Sequence, residues 1–328
     1  MLEQQFPRVF IVTVNYNTKQ DTVECLDSLE KLTYPNYHVV VVDNDSADNE
    51  LFEIETRTNV TLIRNERNLG VGGGYNVGIR HALAHGADYV LLLNNDTTVE
   101  PNLIDELLKP FDEHSNIGIV APWITFYDHP RLIWFAAGRY YQWLGVPSHP
   151  YLHFDVDQVP LQSGYSDFVT VCAAMIKREV FEKAGLWNED LFLYGDDPEF
   201  CLRARRAGYR SYVVGRVLVY HKSQASSGGR GTIRLSPISS YYHSRGLLYS
   251  FFLVTPSKVK RAVGTLFHWL VFFPYQMWRS RNSKAVIPYI LGLCDAMRGK
   301  LGPWESHMRR DGRTPDGRKI RVTEEITK

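Results

Sequence analysis

Apolar residues along the first third of the chain come in short unbroken runs. Val9 to Val14 reads VFIVTV, His38 to Asp43 reads HVVVVD, Val60 to Ile63 reads VTLI, Tyr89 to Leu93 reads YVLLL and Ile117 to Pro122 reads IGIVAP. Runs of this length and β-branched content predict strands buried on both faces. Helical spacing fills the gaps. One helix is predicted across Asp21 to Leu32, with Leu26 and Leu29 on one side. A second runs from about Gly74 to His85, and a third from Pro101, a residue suited to a first helical position, to Asp112. Strand and helix alternating over short connections predict an α/β fold: a mostly parallel, right-handed sheet with helices on both faces.

The pattern then changes. Trp123 to Asp167 is rich in aromatics, Pro and Gly, with little helical period, and predicts hairpins and loops. Order returns in Phe168 to Ile176 (FVTVCAAMI), predicted as a strand, and in SYVVGRVLVYH, a last strand ending at His221. Lys222 to Thr232 is flexible by composition, and the polar residues from about Arg309 are expected to fray. Between them lies Lys258 to Ser280, KVKRAVGTLFHWLVFFPYQMWRS. Its apolar centre, Val263 to Phe273, is about half of the roughly 20 residues needed to span a bilayer, and Pro274 interrupts it. Basic residues flank it, with Trp269, Tyr275 and Trp278 near the ends. Such a segment suits a helix lying in a membrane interface, or a helix packed as core or at an oligomer interface. The expected division is an α/β unit over residues 1–235, a helical extension over 236–308 and a flexible tail over 309–328.

Composition narrows the class. The 328 residues are 44% hydrophobic and 22% charged, enough to bury a real core, and the formal net charge of +1 gives no global field to recruit nucleic acid. Cys25, Cys172, Cys201 and Cys294 form no CxxC pair, so neither zinc nor a disulfide framework is indicated. The start, MLEQQFPR, has no basic-then-apolar leader, which points to a cytoplasmic protein.

Ligands of open α/β sheets bind outside the carboxyl ends of the strands. There the chain places Asn15-Tyr16-Asn17, Asp43-Asn44-Asp45, Asn94-Asn95-Asp96 and His221. Any one is a plausible turn or cap residue, and for Asp45 a helix N-cap is expected. Together they describe a polar site with a cation. A diphosphate leaving group carries several negative charges, and a hard cation prefers oxygen ligands. Asp96 offers a carboxylate and His221 a nitrogen for Mg2+ or Mn2+, while Asp43 is placed to accept from a base or ribose. The Gly-rich stretch Asn68 to Gly78, NLGVGGGYNVG, is not GxGxxG and follows the third strand, which argues against a nicotinamide site. Its glycines allow backbone to approach a ligand, or a helix to pack closely.

Tyr194-Gly195-Asp196-Asp197-Pro198-Glu199 holds three carboxylates in four residues. With Pro198 as the first helical position, Asp197 becomes an N-cap, an ordinary helix start. A helix N-terminus also keeps a carboxylate ionised, and beside the metal residues Asp197 becomes the candidate general base.

In this order, VTVNYN, VVDNDSAD, NLGVGGGYNVG, LLLNNDT, GLWNEDLFLYGDDPEFCLRARRAGYR and VYH resemble glycosyltransferase family 2, the GT-A fold, and within it a bacterial rhamnosyltransferase-like branch. The resemblance spans about Val9 to Ser227. It implies a nucleotide-sugar part at about 1–122 and an acceptor part at about 123–235. It implies nucleotide-sugar contacts at Asn15, Asn17, Asp43, Asn68, Gly73, Asn76 and Asn95, a DxD-type metal motif with Asp96 as its surviving carboxylate, a metal-binding His221, and Asp197 as catalytic base in an ED-type motif. Asn94 replaces the first DxD carboxylate and Asp196 the usual Glu. The implied reaction is inverting, metal-dependent sugar transfer from a nucleotide-diphosphate donor, dTDP-rhamnose first and UDP-hexoses next, to a hydroxyl of a glycan or lipid-linked acceptor. Trp134, Trp143 and Trp187 are candidates for stacking on sugar rings. The expected location is the inner face of the cell membrane, with peripheral contact through about 258–281. Two rivals stand: a nucleotidyltransferase, which would want a Gly-rich loop after the first strand, and a non-catalytic glycan-binding or scaffold member, which would not need both Asp96 and Asp197.

Overall fold

Four parallel strands carry the runs with which the chain begins. In the computed structural model, which describes residues 6–47, 51–160, 162–223 and 235–304, they are β1 (Val9–Asn15), β2 (Tyr37–Asp43), β3 (Val60–Arg64) and β4 (Tyr89–Leu93). β1 lies between β2 and β4, and β3 lies beyond β2. In β1, β2 and β4 burial on both faces explains the absence of alternation: Ile11, Val12, Val40 to Val42 and Leu91 to Leu93 are all inaccessible to solvent, whereas β3, at the sheet edge, is only half-buried, contrary to expectation. Helices α1 (Lys19–Leu29), α2 (Phe52–Glu55) and α3 (Gly70–Ala84) make the crossovers.

Beyond β4 the sheet turns mixed. After β5 (Thr97–Val99) and α4 (Leu103–Glu113) comes β6 (Ile117–Phe126), longer than its apolar hexapeptide. Short strands β7 (Ile133–Phe135), β8 (Arg139–Tyr141), β9 (Val146–Ser148) and β10 (Gly164–Ser166) occupy the aromatic middle, as expected of hairpins and loops. The strand foreseen from Phe168 starts only at Ala173: β11 (Ala173–Lys177) runs antiparallel to both β4 and β6. Helices α5 (Arg178–Ala184) and α6 (Asp196–Arg206) lead to β12 (Arg210–His221), parallel to β6. The sheet order is β10-β12-β6-β11-β4-β1-β2-β3, with β5 added to β12 and β7 to β6.

A single large core joins both halves of the sheet. A second, smaller one lies within the extension, where α7 (Pro237–Val254) packs along α10 (Val286–Arg298) through Leu248, Phe251, Tyr289 and Leu293. Ser236 caps α7, its hydroxyl accepting from Ser239 N at 3.0 Å, and Pro237 takes the first turn. Between them α8 (Lys258–Phe267) passes through a π-helical turn, His268–Phe272, into α9 (Phe273–Ser280), with Pro274 near the start of α9. No helix among the described residues is long and apolar enough to cross a membrane. The predicted flexible loop falls mostly outside the described residues, as does the tail from Arg309. The cysteines are free, as expected, and Cys25, Cys172 and Cys201 are buried.

Candidate active site

Strand register assembles the rim. β1 and β2 end in step, so Asn15 sits beside Asp43. Asn15 Nδ2 donates to Asp43 Oδ1 at 2.8 Å and to Ser46 Oγ at 3.0 Å, while its own Oδ1 accepts from Thr22 Oγ1 at 2.9 Å. Ser46 Oγ donates to Asp43 Oδ1 at 2.6 Å and accepts from Asn17 N at 2.9 Å. Asn17, in the left-handed region at φ 58°, accepts at Oδ1 from Ala47 N. Asn95 Nδ2 donates to Thr18 and Thr22. Asn15, Asn17, Asp43 and Asn95 thus belong to one hydrogen-bonded network, in which Asp43 is already well supplied with donors. Asn68 joins through Asn44: its Oδ1 accepts from Asn44 Nδ2 at 2.9 Å and from Gly70 N at 2.8 Å.

Asn76 and Asp45 are placed otherwise than expected. Asn76 is buried and spent inside the protein, donating to Trp187 O and Glu189 Oε1 and accepting from Trp187 N, so it fastens the loop after α5 to α3. Two glycines of α3 pack it on β1: a Cβ at Gly74 would meet Val14 at 2.9 Å and one at Gly78 would meet Val12 at 2.2 Å, while one at Gly73 would meet only Leu69 of the same helix start, at 2.6 Å. Asp45 caps no helix; it is an exposed turn residue at φ 67°. Of the tryptophans, Trp187 is core, stacked on Phe200 at 3.8 Å. Trp143 is exposed beside Lys260.

The cation candidates are delivered by another pairing. β5 runs against the end of β12, placing His221 opposite Thr97, the residue after Asp96. Lys222 N donates to Asp96 O at 2.9 Å, and His221 Nε2 lies 3.0 Å from Asp96 Oδ1. Burial pushes the Asp96 carboxyl up, but the His221 hydrogen bond and the charges of His221 and Lys222 outweigh it, holding the carboxyl below its ordinary range. His221 is buried, with Trp134 edge-on at 4.4 Å, and its Nδ1 has no hydrogen-bond partner among the described residues. Among the described residues no cluster of three or more His, Cys, Asp or Glu could hold a metal. A magnesium-type ion does not need one: it commonly uses one or two protein ligands and takes the rest from phosphate and water. Two donors about 3 Å apart suit neighbouring ligand positions on such an ion, so Asp96 and His221 fit it. Asn94 is turned elsewhere, accepting at Oδ1 from the Tyr75 hydroxyl at 3.1 Å.

Asp197 is connected to the Asn94–Asp96 strand end through the segment before β11. α6 begins at Asp196, preceded by Gly195 at φ 81°, so Asp197 is its second residue and Pro198 its third, not cap and first position as expected. Asp197 Oδ1 accepts from Val171 N at 3.0 Å, and the adjacent Cys172 O accepts from Asn94 N at 3.0 Å. The segment 168–172 therefore links the candidate base to the NND motif, which is why it leaves the sheet. Burial, then the neighbouring Asp196 carboxylate, push Asp197 upward, partly opposed by the Val171 amide and the Thr170 hydroxyl. Asp196 is pushed the same way by burial and by Glu199. The ionisation expected from the helix N-terminus is thus overridden by desolvation and like charge. Burial and the charges of Asp96 and Asp197 push the Cys172 thiol well up, so it stays protonated and offers no nucleophile.

Sequence reasoning gave no role to Thr22, Ser46 and Tyr75, and named Asn44 only as part of a strand end, yet all four orient the rim. Hydroxyls and amides adjoining a motif carry no mark of their own; their partners come from other strands.

The arrangement is a polar rim with a pair of candidate cation donors and a carboxylate of raised proton affinity, both near enough to act on the Cys172 thiol. Comparison with known proteins gives it a family. Glycosyl transferase family 2 matches residues 10–185, more than half of the chain. The dTDP-rhamnosyl transferase RfbF of Shigella flexneri is 27% identical over 308 residues, covering 90% of this chain and 97% of that protein. That similarity reaches into α7 to α10, further than the motifs alone. Galactofuranosyltransferase GlfT1 of Mycobacterium tuberculosis is 29% identical over 203 residues, covering 61% of this chain and 65% of its own length. The mannosyltransferase PcManGT from Pyrobaculum calidifontis, solved in complex with GDP-Man and Mn2+, is 17% identical with a TM-score of 0.54, over 93% of this chain and 79% of that one, a likeness of fold. Asp197 and His221 lie beyond residue 185, so the family match vouches for neither, but the sheet, the rim and the motif order agree: the chain belongs to glycosyl transferase family 2.

Proposed function

We propose that this glycosyltransferase moves a sugar from a nucleotide-diphosphate donor to an acceptor hydroxyl with inversion at the anomeric carbon. The observation that supports the reading is the hydrogen-bonded connection from Asp197 through Val171, Cys172 and Asn94 to the strand end that carries Asp96, itself 3.0 Å from His221. Asp197 takes the proton of the acceptor hydroxyl as that oxygen bonds to the anomeric carbon, opposite the departing diphosphate. A raised proton affinity makes its ionised form a better base near neutral pH. One carboxylate used once leaves no covalent sugar on the protein, hence inversion. Asp96 and His221 would hold Mg2+ or Mn2+, which when bound neutralises charge growing on the diphosphate. Asn15, Asn17, Asp43, Asn68 and Asn95 shape the nucleotide side, and Trp134, half-buried beside His221, borders the sugar.

For the donor the first choice is dTDP-rhamnose, supported by the likeness to RfbF; UDP-hexoses come next. The acceptor is a glycan or lipid-linked hydroxyl in cell-surface polysaccharide synthesis. Residues 1–235 are the catalytic unit, nucleotide-sugar part about 1–122 and acceptor part about 123–235. The extension 236–308 brings the protein to the inner face of the membrane through about 258–281.

The test is calorimetric binding and slow hydrolysis with a panel of nucleotide sugars, with and without manganese or magnesium. Cation-dependent binding of one donor is expected. His221→Ala should weaken the cation-dependent part about 10- to 100-fold or more. A folded protein that binds no donor defeats the reading.

A further inference from the structure

Residues Leu191 to Gly195 form the loop from which α6 and Asp197 emerge, and they are held in costly conformations. Phe192, Tyr194 and Gly195 take φ of 61°, 64° and 81°. Left-handed non-glycine residues cost on the order of 1 kcal/mol or more each and persist only where surroundings over-determine them. On one side the loop is tied to the donor half: Phe192 O accepts from Val71 N at 2.9 Å. On the other it meets α7 so closely that no side chain fits between. A Cβ at Gly195 would lie 2.5 Å from Gly246 O, and one at Gly246 would lie 2.2 Å from Tyr194 O. Next to this contact Arg245, a wholly buried arginine, donates from Nη2 to Leu191 O at 3.1 Å and from Nη1 to Gly302 O at 2.5 Å. Its guanidinium lies against the rings of Tyr241 and Tyr242, and Tyr242 stacks on Phe192 at 5.0 Å.

Burying a guanidinium is expensive, and here its two carbonyl partners among the described residues are one from the base loop and one from the chain after α10. Gly302 N in turn donates to Asp190 O. The extension thus closes around the loop from two directions. We propose that Arg245 and Gly246 of α7 are positioning residues that fix the Leu191–Gly195 backbone, and through it the place of Asp197 on the rim. The helical extension is then part of the catalytic apparatus as well as an appendage. This rests on the assignment of Asp197 as base.

The test uses the full chain and needs neither donor nor acceptor. Val171 N–H donates to Asp197, so its amide resonance followed against pH reports the ionisation of that carboxyl. Gly246→Ala forces a methyl against Tyr194 O. Arg245→Lys keeps the cation but cannot bridge two carbonyls in the same way. Both are expected to displace the Val171 titration midpoint, by on the order of half a pH unit or more. Gly264→Ala is the comparison: its Cβ would crowd Phe251 on another part of α7, 2.3 Å away. It should lower the melting temperature and leave the midpoint in place. A wild-type midpoint in the folded variants, no titration at Val171, or an equal displacement in Gly264→Ala overturns the proposal. So does loss of the fold in both Arg245→Lys and Gly246→Ala, since the pair would then support the domain and not the base. If Asp197 is not the base, Asp197→Asn retains turnover, an outcome separate from this titration.

Discussion

Asp197 carries two costs that a structural helix start would not. It is desolvated, and Asp196 beside it is desolvated too, so ionising the pair places like charges together. The folded chain therefore keeps a proton on Asp197 at pH values where an unfolded aspartate, with its ordinary value of 3.8, has lost it. Between 3.8 and the raised folded value, folding takes up protons, so stability present at low pH is lost as pH rises through that window. Asp197→Asn removes the titration. The variant should melt at a higher temperature than the wild type at pH 8 and at nearly the same temperature at pH 4. Turnover should change in the opposite sense, falling by about 100- to 10,000-fold while nucleoside diphosphate still binds. Scanning calorimetry at the two pH values, beside a turnover assay, checks both halves. A variant less stable than the wild type at pH 8 would mean that Asp197 serves as an ordinary helix-start residue.

At the scale of elements, sheet and helix were legible where burial alone decides. β1, β2 and β4 were readable because valine and leucine runs buried on both faces have no other use, and β4 came with its boundaries intact; β3 and β12, both only partly buried, were readable from their apolar, β-branched runs alone. Legibility failed where tertiary contacts compete with pattern. Phe168 to Cys172 is as apolar as a strand, yet its backbone amides go to Asp197 and Cys201 instead of a neighbouring strand, and no periodicity encodes that. The Gly-rich stretch could be read as ligand approach or as close packing, and only the positions of Val12 and Val14 show that Gly74 and Gly78 pack α3 on β1. Arg245 did leave a trace, as a lone cation in the apolar helix HSRGLLYSFFLV, but its partners at Leu191 and Gly302 are far away in sequence. The α3 packing yields a prediction. In Gly78→Ala the new methyl would lie 2.2 Å from Val12 Cγ1 and 3.2 Å from Val42 Cγ2. Valine is stiff at χ1 and β1 is central, so neither neighbour yields easily. Overpacking costs about 1–3 kcal/mol, against a gain in helix propensity of at most about 1 kcal/mol. The urea midpoint should fall; a midpoint at or above that of the wild type would show that α3 is free to move off the sheet.

Across the whole molecule, charge and apolar exposure are concentrated at one end. Val259, Val263, Leu266 and Leu270 recur at helical spacing along α8 and the turn after it, and they face outward, 67%, 41%, 59% and 71% exposed. Trp278 continues the surface on α9 at 71%. Beside them an apolar cleft of about 270 Å³ opens between Leu144 and Val146 on one side and Phe267, Val271 and Tyr275 on the other. An amphipathic helix usually turns such a stripe toward the core. This one leaves it to the outside, which favours an interface over a core helix. From Ser257 to Cys294 the chain holds Lys258, Lys260, Arg261, Arg279, Arg281 and Lys284 and no Asp or Glu, whereas the whole chain sums to only +1, so the rest is net acidic. An anionic bilayer would attract this end and repel the remainder, setting the orientation of the rim above the surface. The protein should therefore bind phosphatidylglycerol-containing vesicles in a salt-sensitive manner and neutral ones weakly. Reversing exposed Lys258 and Lys284 to Glu should cost about 1 kcal/mol of binding or more per site, while Leu270→Gln with Trp278→Gln should weaken binding at every salt concentration. Vesicle flotation distinguishes the outcomes. If neither pair of substitutions changes binding but one of them dissociates an oligomer, the stripe is a contact between copies of the chain, and the acceptor must reach the rim without help from this face.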